Sequence, residues 1–70
     1  MRHPQYAVRF FDRYGRVITT ISITVPLREI EGLPQAIADA GDKAFGKDWG
    51  RAVVLRGMRL TVDNPKEAGK

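Results

Sequence analysis

Few side chains in this sequence have the type and spacing that catalysis or metal binding requires, and those few stand apart from one another. His3 is the only histidine and there is no cysteine. A tetrahedral metal site draws on several such ligands together, so neither a metal nor any other cofactor is expected. Ser22 is the only serine and has no histidine or carboxylate within its own segment to act as its base, which leaves the hydroxyl a weak nucleophile. Asp39 and Asp42 would share a face of a helix, but two carboxylates on an exposed helix are ordinarily solvated surface rather than an acid–base pair. The glycines are scattered as turn, cap and bulge residues, not grouped to cradle a phosphate. The chain is therefore expected not to be an enzyme.

A different chemistry is better represented. Of the 12 cations, eight are arginine, whose planar fork binds phosphate through paired hydrogen bonds and stacks on bases. Arg9 alternates onto one strand face with Phe11, and Arg13-Tyr14-Gly15-Arg16 sets an aromatic ring between two arginines. Cation and aromatic on an open sheet are the means by which single strands are commonly held. With Arg56 and Arg59 further along, these residues form the expected contact set for nucleic acid or a nucleoprotein complex.

The charge is also sorted along the chain. Residues 1–27 carry a net +3, residues 28–48 a net −2, residues 49–62 a net +3, and the last eight residues none. The basic stretches read as strands and the acidic one as a helix, so the fold should have an electrostatic front and back.

The elements that must position these residues follow from periodicity. Tyr6 to Phe11 and Val17 to Val25 are aromatic and β-branched runs, separated by Asp12-Arg13-Tyr14-Gly15, which reads as a hairpin turn. A four-residue loop closing Phe11 on Arg16 gathers Tyr6, Val8 and Phe10 with Val17, Thr19, Ile21, Ile23 and Val25 on one apolar face, and leaves Ala7, Arg9, Phe11, Ile18, Thr20, Ser22 and Thr24 on the other. A three-residue loop closing Asp12 on Arg16 would set them against Ile18, Thr20 and Ser22 instead, so the longer loop is expected. Pro26 ends the second strand. A helix should run from Pro34 to Phe45 with Gly46 as its cap. Its stripe of Leu33, Ile37, Ala40, Gly41 and Ala44 is narrow, and Gly41 implies close approach to the sheet. Arg51 to Val62 reads as a third strand whose phase changes at Arg56-Gly57, as a bulge would produce. Trp49 is expected to close the end of the core.

The result is an α+β domain of two layers, ββαβ, with an antiparallel three-stranded sheet of order 2-1-3 and one helix on one face. It should occupy residues 6–62, between a flexible amino terminus at 1–5 and a disordered tail at 63–70. No apolar run approaches the length of a membrane span and no signal peptide is evident, so a cytoplasmic protein without a membrane partner is expected.

At 70 residues the core is small, and such domains often gain stability by association. The run from Val17 to Val25 contains no charge, proline or glycine and lies at the edge of the expected sheet, where it can template another strand. Ile18, Thr20, Ser22 and Thr24 would line that edge, for a homodimer or for an edge on a target protein. In size and layout, though in no quotable motif, the chain is similar to small phage or mobile-element regulators and inhibitors, anti-CRISPR proteins among them. That similarity implies a protein partner.

Overall fold

A computed structural model of the chain describes residues 4–64. The chain forms β1 (Gln5–Asp12), β2 (Val17–Thr24), a short 3-10 helix η1 (Leu27–Gly32), α1 (Leu33–Phe45), β3 (Trp49–Val54) and β4 (Thr61–Asp63). The strands make one antiparallel sheet of order β2-β1-β3-β4. The α+β class, the two layers and the 2-1-3 order agree with the sequence reading. The sheet, however, has a fourth strand.

The extra strand arises at Gly57, which the periodicity assigns to a bulge. The chain instead reverses over residues 55–60, with Gly57 at φ 88° and the Val54 N–H donating to the Leu60 carbonyl at 3.0 Å. Glycine reaches that φ without the clash that a Cβ would bring. Met58 and Leu60, which look like a continuing strand, are half-buried against the core from this connection. Their apolar spacing came from covering the core, not from alternation across a sheet.

The first hairpin closes through a three-residue loop rather than the expected four. The Asp12 N–H donates to the Arg16 carbonyl at 2.8 Å, and the Gly15 N–H to the Asp12 carbonyl at 3.1 Å. From Thr19 onward the faces are nevertheless those the apolar pattern demands, because a bulge follows the loop; Val17, expected on the apolar face, is exposed beside Phe11, and Ile18 takes the core side instead. Phe10 pairs with Thr19 but Phe11 with Val17, so Ile18 is the extra residue. Tyr6 then lies opposite Ile23 and Val8 opposite Ile21. One inserted residue reverses side-chain facing, and here it undoes the shift made by the shorter loop.

The helix begins at Leu33, with a proline in its first turn and Gly46 as its cap. It buries Leu33, Ile37, Ala38 and Gly41; Ala38 replaces the exposed Ala44 in the expected stripe. A Cβ on Gly41 would lie 2.6 Å from Cε2 of Trp49 and 2.8 Å from Cε2 of Phe10. The missing side chain thus lets the helix axis settle onto two rings. Trp49 is completely buried, stacks edge-on against Phe10 with centroids 5.5 Å apart, and donates its Nε1–H to Asp42 Oδ1 at 3.1 Å. That bond ties the last turns of α1 to the start of β3 and satisfies the indole donor, which burial would otherwise leave costly.

Val8, Phe10, Leu33, Ile37 and Trp49 are the largest apolar side chains lost wholly to the interior, together with the polar Asn64. Burying each large apolar side chain contributes about 1.5–3 kcal/mol. Of the segment expected as a tail, Asp63 ends β4 and Asn64 lies in the core, while residues 65–70, like 1–3 at the amino terminus, fall outside the described residues. No helix among the described residues is long and apolar enough to cross a membrane.

Candidate nucleic-acid interface

The helix covers one face of the sheet and leaves the other open. On the open face Arg9 lies opposite Thr20 of β2 and Val53 of β3, and Phe11 lies opposite Arg51, which in turn faces Asp63 of β4. Arg9 and Arg51 are exposed, and Phe11 is half-buried between them. Arg51 Nε donates to Asp63 Oδ1 at 3.0 Å, with both side chains about three-fifths exposed. An exposed pair of this kind contributes about 0–1 kcal/mol to stability, and it draws the guanidinium toward β4, on the side of β3 away from Phe11. Arg51 and Val53 were missing from the sequence-derived contact set. Their signal was available: both occupy the outward phase of β3, two residues apart.

The hairpin tip is built by Asp12. Its Oδ1 accepts the backbone N–H groups of both Tyr14 and Arg16, each at 2.9 Å. This fixes the loop and turns Arg13, Tyr14 and Arg16 outward; Tyr14 is 79% exposed. The tip also leans over the start of β3. Phe11 pairs with Arg51 but Asp12 with Trp49, leaving Gly50 as a bulged residue. A Cβ there would be 3.0 Å from the Asp12 carbonyl oxygen and from the Arg13 Cα. Glycine therefore permits the tip to close one end of an open groove of about 730 Å³, lined by Phe11, Arg13, Tyr14, Arg51, Val53 and Asp63 among others.

The structure does not bring all of the expected contact residues together. Arg9, Phe11, Arg13, Tyr14 and Arg16 share the open face or its hairpin end. Arg56 and Arg59 sit in the β3–β4 connection at the opposite end of the sheet. At about 3.3 Å per residue the six steps from Trp49 to Leu55 separate the two groups by roughly 20 Å. Of the edge residues, Thr20, Ser22 and Thr24 are exposed, whereas the bulge turns Ile18 against the core.

Charge follows the layers. Within the described residues, the sheet and its turns carry six arginines against Asp12 and Asp63, a net of +4. Residues 27–48 carry Arg28, Lys43 and Lys47 against Glu29, Glu31, Asp39, Asp42 and Asp48, a net of −2. The ion pairs Arg28–Glu29 and Arg51–Asp63 each remain within one layer. Among the described residues no salt bridge joins a sheet arginine to a helical carboxylate, and no group of three or more His, Cys, Asp or Glu side chains is placed to hold a metal. The chain matches no family model, and no curated protein or solved structure matches it.

Proposed function

We propose that this protein is a non-catalytic, cytoplasmic binding module whose open sheet face and hairpin tip hold nucleic acid, free or within a nucleoprotein complex. The observation that supports this reading is the grouping of Arg9, Phe11 and Arg51 on the uncovered face, beside a groove capped by Arg13 and Tyr14, with the acids concentrated in the opposite layer. Guanidinium groups attract phosphates, and a half-buried ring flanked by an exposed one offers bases a place to stack. An open sheet face with one aromatic on it and another at the hairpin tip suits a single strand better than a duplex, since a duplex hides its base faces. If about four arginines meet phosphates of a single strand, affinity should fall roughly fifty-fold between about 50 and 200 mM salt.

The test is a titration of labelled single-stranded and duplex probes at low salt, with Arg9→Glu on the open face and Gln35→Glu on the helix. Binding that weakens with the first change and not with the second supports the reading. Absence of binding to either probe at low salt removes it.

A second reading has its own observation. β2 lies at the sheet edge with Thr20, Ser22 and Thr24 exposed, so a small regulator or inhibitor could dock there on a target protein by strand addition. Thr20→Lys should then weaken that complex while leaving nucleic-acid affinity unreduced.

A further inference from the structure

We propose that β2 pairs antiparallel with β2 of a second copy about a two-fold axis at Ser22, so that two sheets become one of eight strands. The inference goes beyond nucleic-acid binding and does not depend on it.

The backbone shows which groups are available. The Val25 N–H donates to the Pro4 carbonyl at 3.4 Å, in register with the pairing of Tyr6 to Ile23 and Val8 to Ile21. In an antiparallel ladder the bonding direction alternates residue by residue. Val25, Ile23 and Ile21 therefore bond toward β1, and the N–H and C=O groups of Thr24, Ser22 and Thr20 point away from the sheet. Strand edges are usually blunted by charge, proline, a bulge or shortness. β4, at the other edge, is three residues long. β2 has eight residues without a charge or proline, and its bulge lies near one end, at Ile18.

Three features select a second copy as the occupant. First, the regular part of the edge runs from Thr19, just after the bulge, to Val25, just before Pro26, and its midpoint is Ser22. A two-fold axis there pairs every regular residue: Ser22 with Ser22, Thr20 with Thr24, and Ile21 with Ile23 of the other chain. Second, the side chains match themselves. Threonine faces threonine on the open side and isoleucine faces isoleucine on the helix side, both favourable cross-strand combinations, with no like charges opposed. Third, antiparallel pairing carries the basic hairpin end with Arg16 toward η1 of the other copy, where Glu29 and Glu31 outnumber Arg28. The axis is normal to the sheet, so both helices lie on one side and both open faces, each with Arg9 and Phe11, form one continuous surface on the other.

Solution mass by light scattering, without nucleic acid present, tests the pairing. The wild-type chain should show twice the 7.9 kDa of one copy. Ser22→Lys and Ser22→Glu each place like charges directly across the axis and should each give the single-chain mass, with unchanged circular dichroism because Ser22 is exposed. Mixing the two variants should restore the doubled mass, since opposite charges then meet. A single-chain mass for the wild type overturns the proposal and leaves the edge to a strand of another protein. A doubled mass that survives Ser22→Lys, or variants that fail to recombine, overturns the pairing about Ser22.

Discussion

Gly41→Ala offers the sharpest check on how the helix is seated against the sheet. The added Cβ would lie 2.6 Å from Trp49 Cε2 and 2.8 Å from both Phe10 Cε2 and Trp49 Nε1. Each contact is well inside van der Waals separation, so either the helix lifts or the rings turn. Neither ring turns freely. Trp49 is held by its bond to Asp42, and Phe10 packs edge-on to Trp49 and, tilted, against Phe45 with centroids 5.2 Å apart. Overpacking of this kind costs about 1–3 kcal/mol, while replacing a mid-helix glycine by alanine returns about 0.8–1 kcal/mol of helix propensity. The net expectation is a loss of roughly 0–2 kcal/mol, equivalent to a fall in Tm of up to about 15 °C for a domain of this size. Thermal unfolding followed by circular dichroism measures the loss, and fluorescence of Trp49, the only tryptophan, reports the local repacking. A variant stabilised by the full ~0.8–1 kcal/mol of helix propensity would refute the close seating, because nothing would then have opposed the added Cβ.

Other substitutions probe the parts that present the candidate interface. Asp12→Ala removes the acceptor for two hairpin N–H groups and should cost about 1–2 kcal/mol by chemical denaturation; an unchanged midpoint would contradict its role in fixing the tip. Asn64 donates its side-chain amide to the Trp49 carbonyl at 2.7 Å and its backbone N–H to Gly50 at 3.0 Å. Asn64→Ala should cost about 1–3 kcal/mol by leaving a buried carbonyl short of a partner, and a loss below half a kcal/mol, about 0.5, would mean that solvent compensates it. Because roughly 20 Å separates the two basic ends and stacked phosphates repeat every ~3.4 Å, Arg56→Gln with Arg59→Gln should weaken binding of probes longer than about eight nucleotides and leave those of about four unaffected. Equal weakening of both in a fluorescence-anisotropy series would place the connection inside the short-probe site.

The faces of β1, those of β2 from Thr19 onward, the helix, the burial of Trp49 and the reason for Gly41 follow from periodicity and side-chain size, and the structure has them; Val17 and Ile18, at the start of β2, are reversed. What failed was counting. A three-residue loop followed by a bulge at Ile18 produces the same faces from Thr19 onward as a four-residue loop without one, and the two differ only at Val17 and Ile18, both apolar, so facing could not separate them. The β3–β4 reversal escaped because Met58 and Leu60 cover the core from a connection, and apolar residues at alternate positions look the same in either role. Asn64 carried no signal, since a polar residue after a short strand reads as solvent-exposed until its partners are known. Within the candidate site, the arginines near the first hairpin could be read from alternation on β1. Arg56 and Arg59 could not be placed correctly until the reversal was known, and Arg51 was overlooked although its phase on β3 was visible.

The central claim is that nucleic acid meets the open face of the sheet and not the helical layer. Amide chemical-shift mapping with a short single-stranded probe at low salt tests it most directly. The account predicts perturbations concentrated at Arg9, Phe11, the Arg13–Arg16 turn, Arg51 and Val53, with Gln35, Asp39 and Lys43 on the exposed side of α1 unmoved. Shifts gathered on α1, or a spectrum unchanged by the probe, would contradict it.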